Sequence, residues 1–438
     1  MRNLPPACKP VGLVIGGVLA AVLALPSMAP SAHADDASDA TRHGTGIPSV
    51  QSIGDNFFGQ LGDATFVDRF TAVTVTGISE IVDLGRGPSA NHGLAVLPNH
   101  TVKAWGINLQ GQLGDGTTTN HPTPGTVAGI TTATKVATGA VHSLAVLKDG
   151  TVRAWGDNSN GQLGDGTNAD SSLPVQVSGI GTATAVAAGE FHSLALLRDG
   201  TVRAWGDNNF GQLGNGTNAD SNVPVTVTGL TGVKAIAAGD DFSLALLRDG
   251  TVRAWGDNNF GQLGNGNAPT DSNVPVQVVN LSGVKAIAAG SDFAMALLRD
   301  GTVRAWGRNL NGQLGNGNAP TNSDVPVSVL GLTEVTVIAA GSEHGLAASA
   351  TGKSQRCPDG TTLYTWGDNE EGQLGDGTDD GRSVPGAVAT GLATIDHLAG
   401  GFEHTLAAGD LSNSTCDESD KSEDGDGGPG ERDERDRP

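Results

Sequence analysis

Apolar residues between 48 and 409 come in short runs closed by Gly, Asp-Gly or a polar loop, with no sustained 3.6-residue period. That pattern excludes a helical solenoid and predicts short β-strands. Residues 185–228 serve as the specimen. Ala185–Ala188 is an apolar run ending at Gly189, as suits an innermost strand. The turn Gly189-Glu190-Phe191-His192 leads into Ser193–Leu197. Asp199-Gly200 then sits between two apolar runs, a strong hairpin signal. Thr201–Gly206 forms the third strand, a long loop runs from Asp207 to Asn222, and Pro224–Val227 is the fourth. A Pro at its start fits an outer, edge strand.

The unit repeats. Gly-Gln-Leu-Gly begins at Gly59, Gly111, Gly161, Gly211, Gly261, Gly312 and Gly372, in steps of 52, 50, 50, 50, 51 and 60. A period near 50 with Gly-rich turns is the signature of a propeller. All six Trp (Trp105, Trp155, Trp205, Trp255, Trp306 and Trp366) take one place in the unit, as a ring packed between neighbouring blades would. The first Gly-Gln-Leu-Gly is preceded by Ser52-Ile53-Gly54, a third strand without its Trp and without an inner pair. The last unit, Ala393–Ala407, has an inner pair and nothing after it. Joining the two predicts an all-β, seven-bladed β-propeller of four-stranded blades, its seventh blade closed by two strands from each terminus. Such closure is expected to leave no free sheet edge.

The recurring Gly-x-x-His-Ser-Leu-Ala, Asp-Gly, Ala-Trp-Gly-Asp-Asn and Gly-Gln-Leu-Gly resembles the regulator of chromosome condensation repeat over residues 48–409. The resemblance implies the propeller fold. It leaves the activity open, because one fold hosts many functions. The eukaryotic namesake is a chromatin-bound nucleotide-exchange factor for a small GTPase. Exported bacterial members include a propeller that inhibits β-lactamase, and the split-blade closure is similar to that type.

The ends are of different material. Residues 1–34 read as a secretion signal peptide: Arg2 and Lys9, an apolar run Val11–Leu25, then Ala32-His33-Ala34. The apolar run is too short to span a bilayer, so no membrane span is expected and the mature chain is read as secreted. Residues 35–47 are a short linker, and 410–438 an acidic tail that cannot bury enough surface to order itself. Cys357 and Cys416 both follow the second strand of adjacent units. In an exported chain they are expected to form a disulfide bond worth roughly 3–5 kcal/mol.

The formal charge of −22 makes nucleic acid a poor partner. His92, His142, His192, His344 and His404 share one repeat position, with Phe242 and Phe293 in the other two units. Phe ligates no metal, so each His is expected to hold its own turn. The loops Asp165–Asp170 and Asn215–Asp220 are oxygen-rich but lack calcium-loop spacing and read as turns. No cofactor or metal is expected. His121, His397 and the insertion around Cys357 are odd candidates without a visible catalytic partner, so no enzyme is expected.

Residues that differ between units are the informative ones. The turns after the inner strands carry Ala90-Asn91, Ala140-Val141, Glu190-Phe191, Asp240-Asp241, Ser291-Asp292, Ser342-Glu343 and Phe402-Glu403. Six of these fourteen positions are acids and none is a cation, against 47 acids in 438 residues overall. One mouth should therefore carry an acidic arc over five adjacent blades. Phe57, Phe58, Phe210 and Phe260 precede Gly-Gln-Leu-Gly and flank that arc. Glu190, Phe191, Phe210, Asp240, Asp241, Phe260, Asp292, Glu343, Phe402 and Glu403 are the candidate partner-binding residues. The leading expectation is a secreted, monomeric scaffold that binds a protein with a basic patch, an inhibitor of an extracellular protein being one version. The alternatives are nucleotide exchange on a GTPase, as the resemblance implies, and a lyase or hydrolase on one propeller face.

Overall fold

The computed structural model describes residues 47–350 and 360–411. Cys357, Cys416, the signal peptide, most of the linker and most of the acidic tail lie outside the described residues. The described residues hold 28 strands, β1–β28 in chain order, in seven four-stranded antiparallel sheets. Among them no helix is long and apolar enough to cross a membrane. Blade 3 is typical: β11 (Ala183–Ala188), β12 (His192–Leu197), β13 (Val202–Gly206) and β14 (Ser221–Thr226). Blades 1 to 6 repeat this plan from β3 (Asp83–Leu84) onward.

Blade 7 runs β27 (His397–Gly400), β28 (His404–Asp410), β1 (Pro48–Gly54) and β2 (Arg69–Thr74), two strands from each end of the chain. Its closing ladder runs unbroken from Pro48↔Asp410 to Gly54↔His404. Leu411 N–H adds a bond to Ile47 O at 2.9 Å.

Two expectations need correction. Closure does not remove sheet edges, because each blade is a separate sheet whose outer strand stays unpaired on one side. Those outer strands carry Pro122, Pro174, Pro224, Pro275, Pro326 and Pro385, which lack a donor for a foreign strand. The outer strand of blade 3 also starts earlier than its Pro suggests: Ser221 pairs with Gly206 and Val225 with Ala204. The register shift between them passes Pro224, which needs no ladder bond.

The core lies between blades, not inside one. Trp255 of blade 4 packs with Leu194, Leu196, Val202 and Leu213 of blade 3, and all six Trp are fully buried. Each indole N–H donates to the Gln carbonyl of the preceding blade's Gly-Gln-Leu-Gly loop, at 2.8–2.9 Å. The second Gly of that loop lies against the ring. At Gly214 φ is +62° and a Cβ would stand 2.7 Å from the Trp255 nitrogen, so only Gly serves. In blade 7 Ile53 replaces the Trp and is likewise buried.

Trp255→Ala should destabilise the ring by about 3–5 kcal/mol, since both the ring volume and the indole bond are lost. Trp255→Phe should cost much less. Denaturant midpoints of the two variants check this; equal, small effects would mean the blade interface does not carry the stability.

Candidate acidic loop face

The repeated histidines are seam residues. His142 Nε2 lies 2.9 Å from Ser193 Oγ of the next blade, and that hydroxyl donates to Gln162 O at 2.9 Å. The same carbonyl takes the Trp205 indole. His92–Ser143, His192–Ser243 and His344–Thr405 repeat the contact at 2.8–3.0 Å. For His92, His142, His192 and His344 the expectation that each His holds its own turn is thus corrected, because the ring reaches across to the next blade; His404 faces Gly93, which has no hydroxyl. Where Phe242 and Phe293 replace His, the facing residues are Ala294 and Gly345, which have no hydroxyl. Burial depresses the imidazoles to about 3 at His92, His142 and His344, and about 4 at His192 and His404. They are neutral hydrogen-bonding groups near neutrality.

The oxygen-rich loops are turns bonded within themselves and to the next blade, Gly166 N–H donating to Asn222 O and Gly216 N–H to Asn273 O, each at 2.9 Å. Asp165 Oδ1 accepts from Thr167 N–H and Oγ1–H at 2.8 Å, and Asp170 Oδ1 accepts Asn158 N–H at 2.8 Å. Asn158, fully buried, donates to Thr167 O and Ala169 O and accepts Leu163 N–H. Asn56, Asn108, Asn208, Asn258, Asn309 and Asn369 hold the same place in their loops, and all are fully buried. Sequence reasoning gave these Asn no role; their signal was an Asn two residues after the Gly of every Trp-Gly. They make the long loops rigid carriers for whatever stands at the mouth.

The inner turns and the long loops share one face, as expected. Asp207 N–H donates to Phe191 O, Asp257 N–H to Asp241 O and Asp368 N–H to Glu343 O, at 2.9–3.0 Å. Backbone bonds then link successive turns: Glu190 N–H to Asp240 O, Asp240 N–H to Ser291 O, Ser291 N–H to Ser342 O and Phe402 N–H to Ala90 O. Ser89 Oγ–H reaches Asp240 from the turn of blade 1. The structure therefore brings Glu190, Asp240, Asp241, Asp292, Glu343 and Glu403 onto one mouth. Residues not singled out from the sequence join them: Asp55, Asp207, Asp257 and Asp368 at the ends of third strands, with Asp68 and Glu371. The carboxylates of Asp55, Asp68 and Glu371 lie within 4.8 Å of one another.

Counted over connecting segments, this face carries 23 acids and two cations, Arg86 and Arg308. The opposite face carries seven acids and four cations among the described residues.

Crowding shows in the proton affinities. Burial, then Asp240, Glu190, Asp207 and Asp257, push Asp241 up to about 7. Burial, then Asp55 and Glu371, do the same for Glu403. Asp240, Asp257 and Asp292 rise to about 6, each mainly through burial. Glu190 and Glu343 are raised by burial first and by neighbouring carboxylates after it.

The arc is not free of cations, as the turn residues alone suggest. Arg308 stands where five other blades have Asp, and it bonds Asp292 Oδ2 at 3.4 Å and Glu343 Oε1 at 2.5 Å. Its guanidinium lies 5.3 Å from the centroid of Phe260. Of the predicted aromatic anchors, Phe402 is exposed, Phe191 and Phe210 are half-buried, and Phe260 is covered by Arg308. Phe57 is exposed and meets Phe58 edge to face at 4.9 Å.

The central channel is an apolar cavity of about 80 Å³, lined by inner-strand residues such as Val186, Ile236 and Ile338, with Arg86 and Pro88 from the turn of blade 1. His397 is not part of that wall. His121 lies on an outer strand, 3.0 Å from Asp115.

The RCC1-like domain matches residues 49–408, the whole run of blades. The chain belongs to the RCC1-like domain family. This RCC1-like propeller is 37% identical over 139 residues to human E3 ubiquitin-protein ligase HERC2, covering 31% of this chain and 3% of that protein. It is 34% identical over 137 residues to the Arabidopsis thaliana ultraviolet-B receptor UVR8, covering 31% of this chain and 29% of that one. The matches thus span under a third of these relatives. Among solved structures, human WBSCR16 is similar with TM-score 0.73 at 24% identity, over 83% of this chain and 99% of that one. Prp20p of Saccharomyces cerevisiae is similar with TM-score 0.73 at 22% identity, over 85% and 93%. At such identities these two likenesses establish the fold.

The crowded mouth predicts a pH signature. Asp241 holds its proton up to about 7 in the folded state but only to about 3.8 when unfolded. Its contribution therefore falls as pH rises through that window and is fully unfavourable above it. Asp241→Asn, which keeps the Gln212 contact, should stabilise the protein by about 1–2 kcal/mol at pH 8, after discounting for partial exposure. The gain should vanish toward pH 4. Thermal or urea unfolding across pH 4–8 checks this; a pH-independent gain would contradict it.

Proposed function

We propose that this RCC1-like propeller is a secreted scaffold that holds a basic protein partner on its acidic loop face. The carrying observation is the asymmetry of charge: among the described residues, 23 acids to two cations on one face against seven to four on the other. Excess charge needed only for solubility has no reason to gather on one mouth, where crowding and burial raise the proton affinity of the carboxylates and disfavour the charge itself. A focused negative field raises the capture rate of a basic partner and weakens with salt.

Rigid loops on a closed scaffold support the reading, because little ordering is required on binding. So do the structural neighbours: Prp20p has binding properties toward Gsp1p and histones, and yeast RCC1 (Prp20) has been crystallised with Kap60 bound to it. Export rests on the N-terminal pattern of Arg2 and Lys9, an apolar run and Ala32-His33-Ala34. Inhibition of an extracellular protein is the concrete version of such capture.

The test is affinity capture from the producer's culture supernatant and envelope extract, with mature protein as bait. A second bait carries Glu190, Asp240, Asp241, Asp292, Glu343 and Glu403 as amides. The expected partner is basic, is held by the first bait, is released by 0.5 M salt (about three times the ionic strength at which exposed charges are already screened beyond ~8 Å) and is missed by the second. A partner held equally by both baits would move the site off this face.

A further inference from the structure

The mouth contains its own example of what it holds. At four blade seams the residue before Gly-Gln-Leu-Gly meets the residue at the end of the third strand of the next blade, Glu371 and Asp55 among them. Asn160 Nδ2 donates to Asp207 Oδ1 and Asn311 Nδ2 to Asp368 Oδ1, both at 3.3 Å. At the seam of blades 4 and 5 the pair is Phe260 and Arg308, with the guanidinium over the ring and bonded to Asp292 and Glu343.

One seam back, the same places are held by Phe210, Asp257, Asp241 and Asp292. The register is the same: Gln212 Nε2 donates to Asp241 Oδ1 at 3.0 Å, as Gln262 Nε2 does to Asp292 Oδ1 at 3.4 Å. The aromatic ring and the two turn carboxylates are therefore repeated, and the cation is not. An acid stands in its place. Asp257 adds to the proton affinity of Asp241, and Asp292 to that of Asp257, so these carboxylates act on one another across the seam; Asp292 also meets Arg308 through Oδ2 at 3.4 Å.

We infer that the seam at Phe210 is a seat for an arginine side chain of the partner, with the guanidinium stacked on Phe210 and bonded to Asp241 and Asp292. Asp257 adds a carboxylate where Arg308 stands in the next blade. Arginine is preferred to lysine, since a planar guanidinium stacks on an aromatic face and bonds two carboxylates at once, whereas an ammonium is a strongly hydrated point charge. The seat rests on the acidic-face reading and adds the chemistry of the residue recognised.

The test uses two probes of equal charge, octa-arginine and octa-lysine, titrated by calorimetry against mature protein and two variants. Phe210→Leu keeps the apolar volume and removes the aromatic face. Asp257→Arg supplies the cation from within, as Arg308 does one blade on, a position that tolerates Arg. The expected result is octa-arginine binding at least threefold more tightly than octa-lysine, with that ratio falling to about one in both variants while octa-lysine still binds. Two outcomes overturn the seat but leave the acidic face standing: equal binding of both probes, or a ratio unchanged in both variants. If neither probe bound wild-type protein, both readings would fall.

Discussion

The carbonyl of each Gly-Gln-Leu-Gly glutamine is the point on which this molecule turns. It belongs to one blade and at six of the seven seams receives the Trp indole of the next; a Ser hydroxyl joins at Gln112, Gln162 and Gln212, and Gln373, which faces the blade without a Trp, takes the Thr405 hydroxyl. A backbone oxygen has two acceptor directions, and at those three Gln both are used, in a setting where water cannot substitute. The interaction couples three things: the loop cannot move without losing the bond, the Trp cannot rotate, and the neighbouring blade cannot slide. A ring of thin sheets needs such fasteners because no single four-stranded blade can bury its faces alone.

Loops so fastened can carry a charge pattern that would otherwise relax. Carboxylates on flexible loops would separate and hydrate; here buried Asn158 and its counterparts hold each loop while backbone bonds tie the turns to one another. The acids at the mouth stay close, and their proton affinities rise. The buried imidazoles titrate in the opposite sense. A His at about 3–4 folded and 6.5 unfolded loses stability as pH falls below 6.5, while the mouth carboxylates gain it over much of the same range. The two sets oppose each other, so the pH dependence of the whole protein is flatter than either alone, and amide variants at the mouth expose the histidine half. Arg308 relieves part of the crowding from within, and at the Phe210 seam, where an acid takes its place, only Asp292 shares in that relief.

The sequence alone determined the propeller, because its information is local and repeated. A period near 50, one Trp per unit and the half units at the two ends leave one way to close the ring. It also placed Glu190, Asp240, Asp241, Asp292, Glu343 and Glu403 on a common face, since inner turns of a propeller all point the same way. What it could not place were contacts between residues about fifty positions apart. His142 to Ser193, Asn160 to Asp207 and Phe260 to Arg308 depend on how one blade is rotated against the next. A residue such as Asp257 or Arg308 looks like an ordinary turn former in its own unit. Only the tertiary structure decided that these side chains meet across a seam, because proximity there is set by the packing of the Trp layer and by no feature of the local chain.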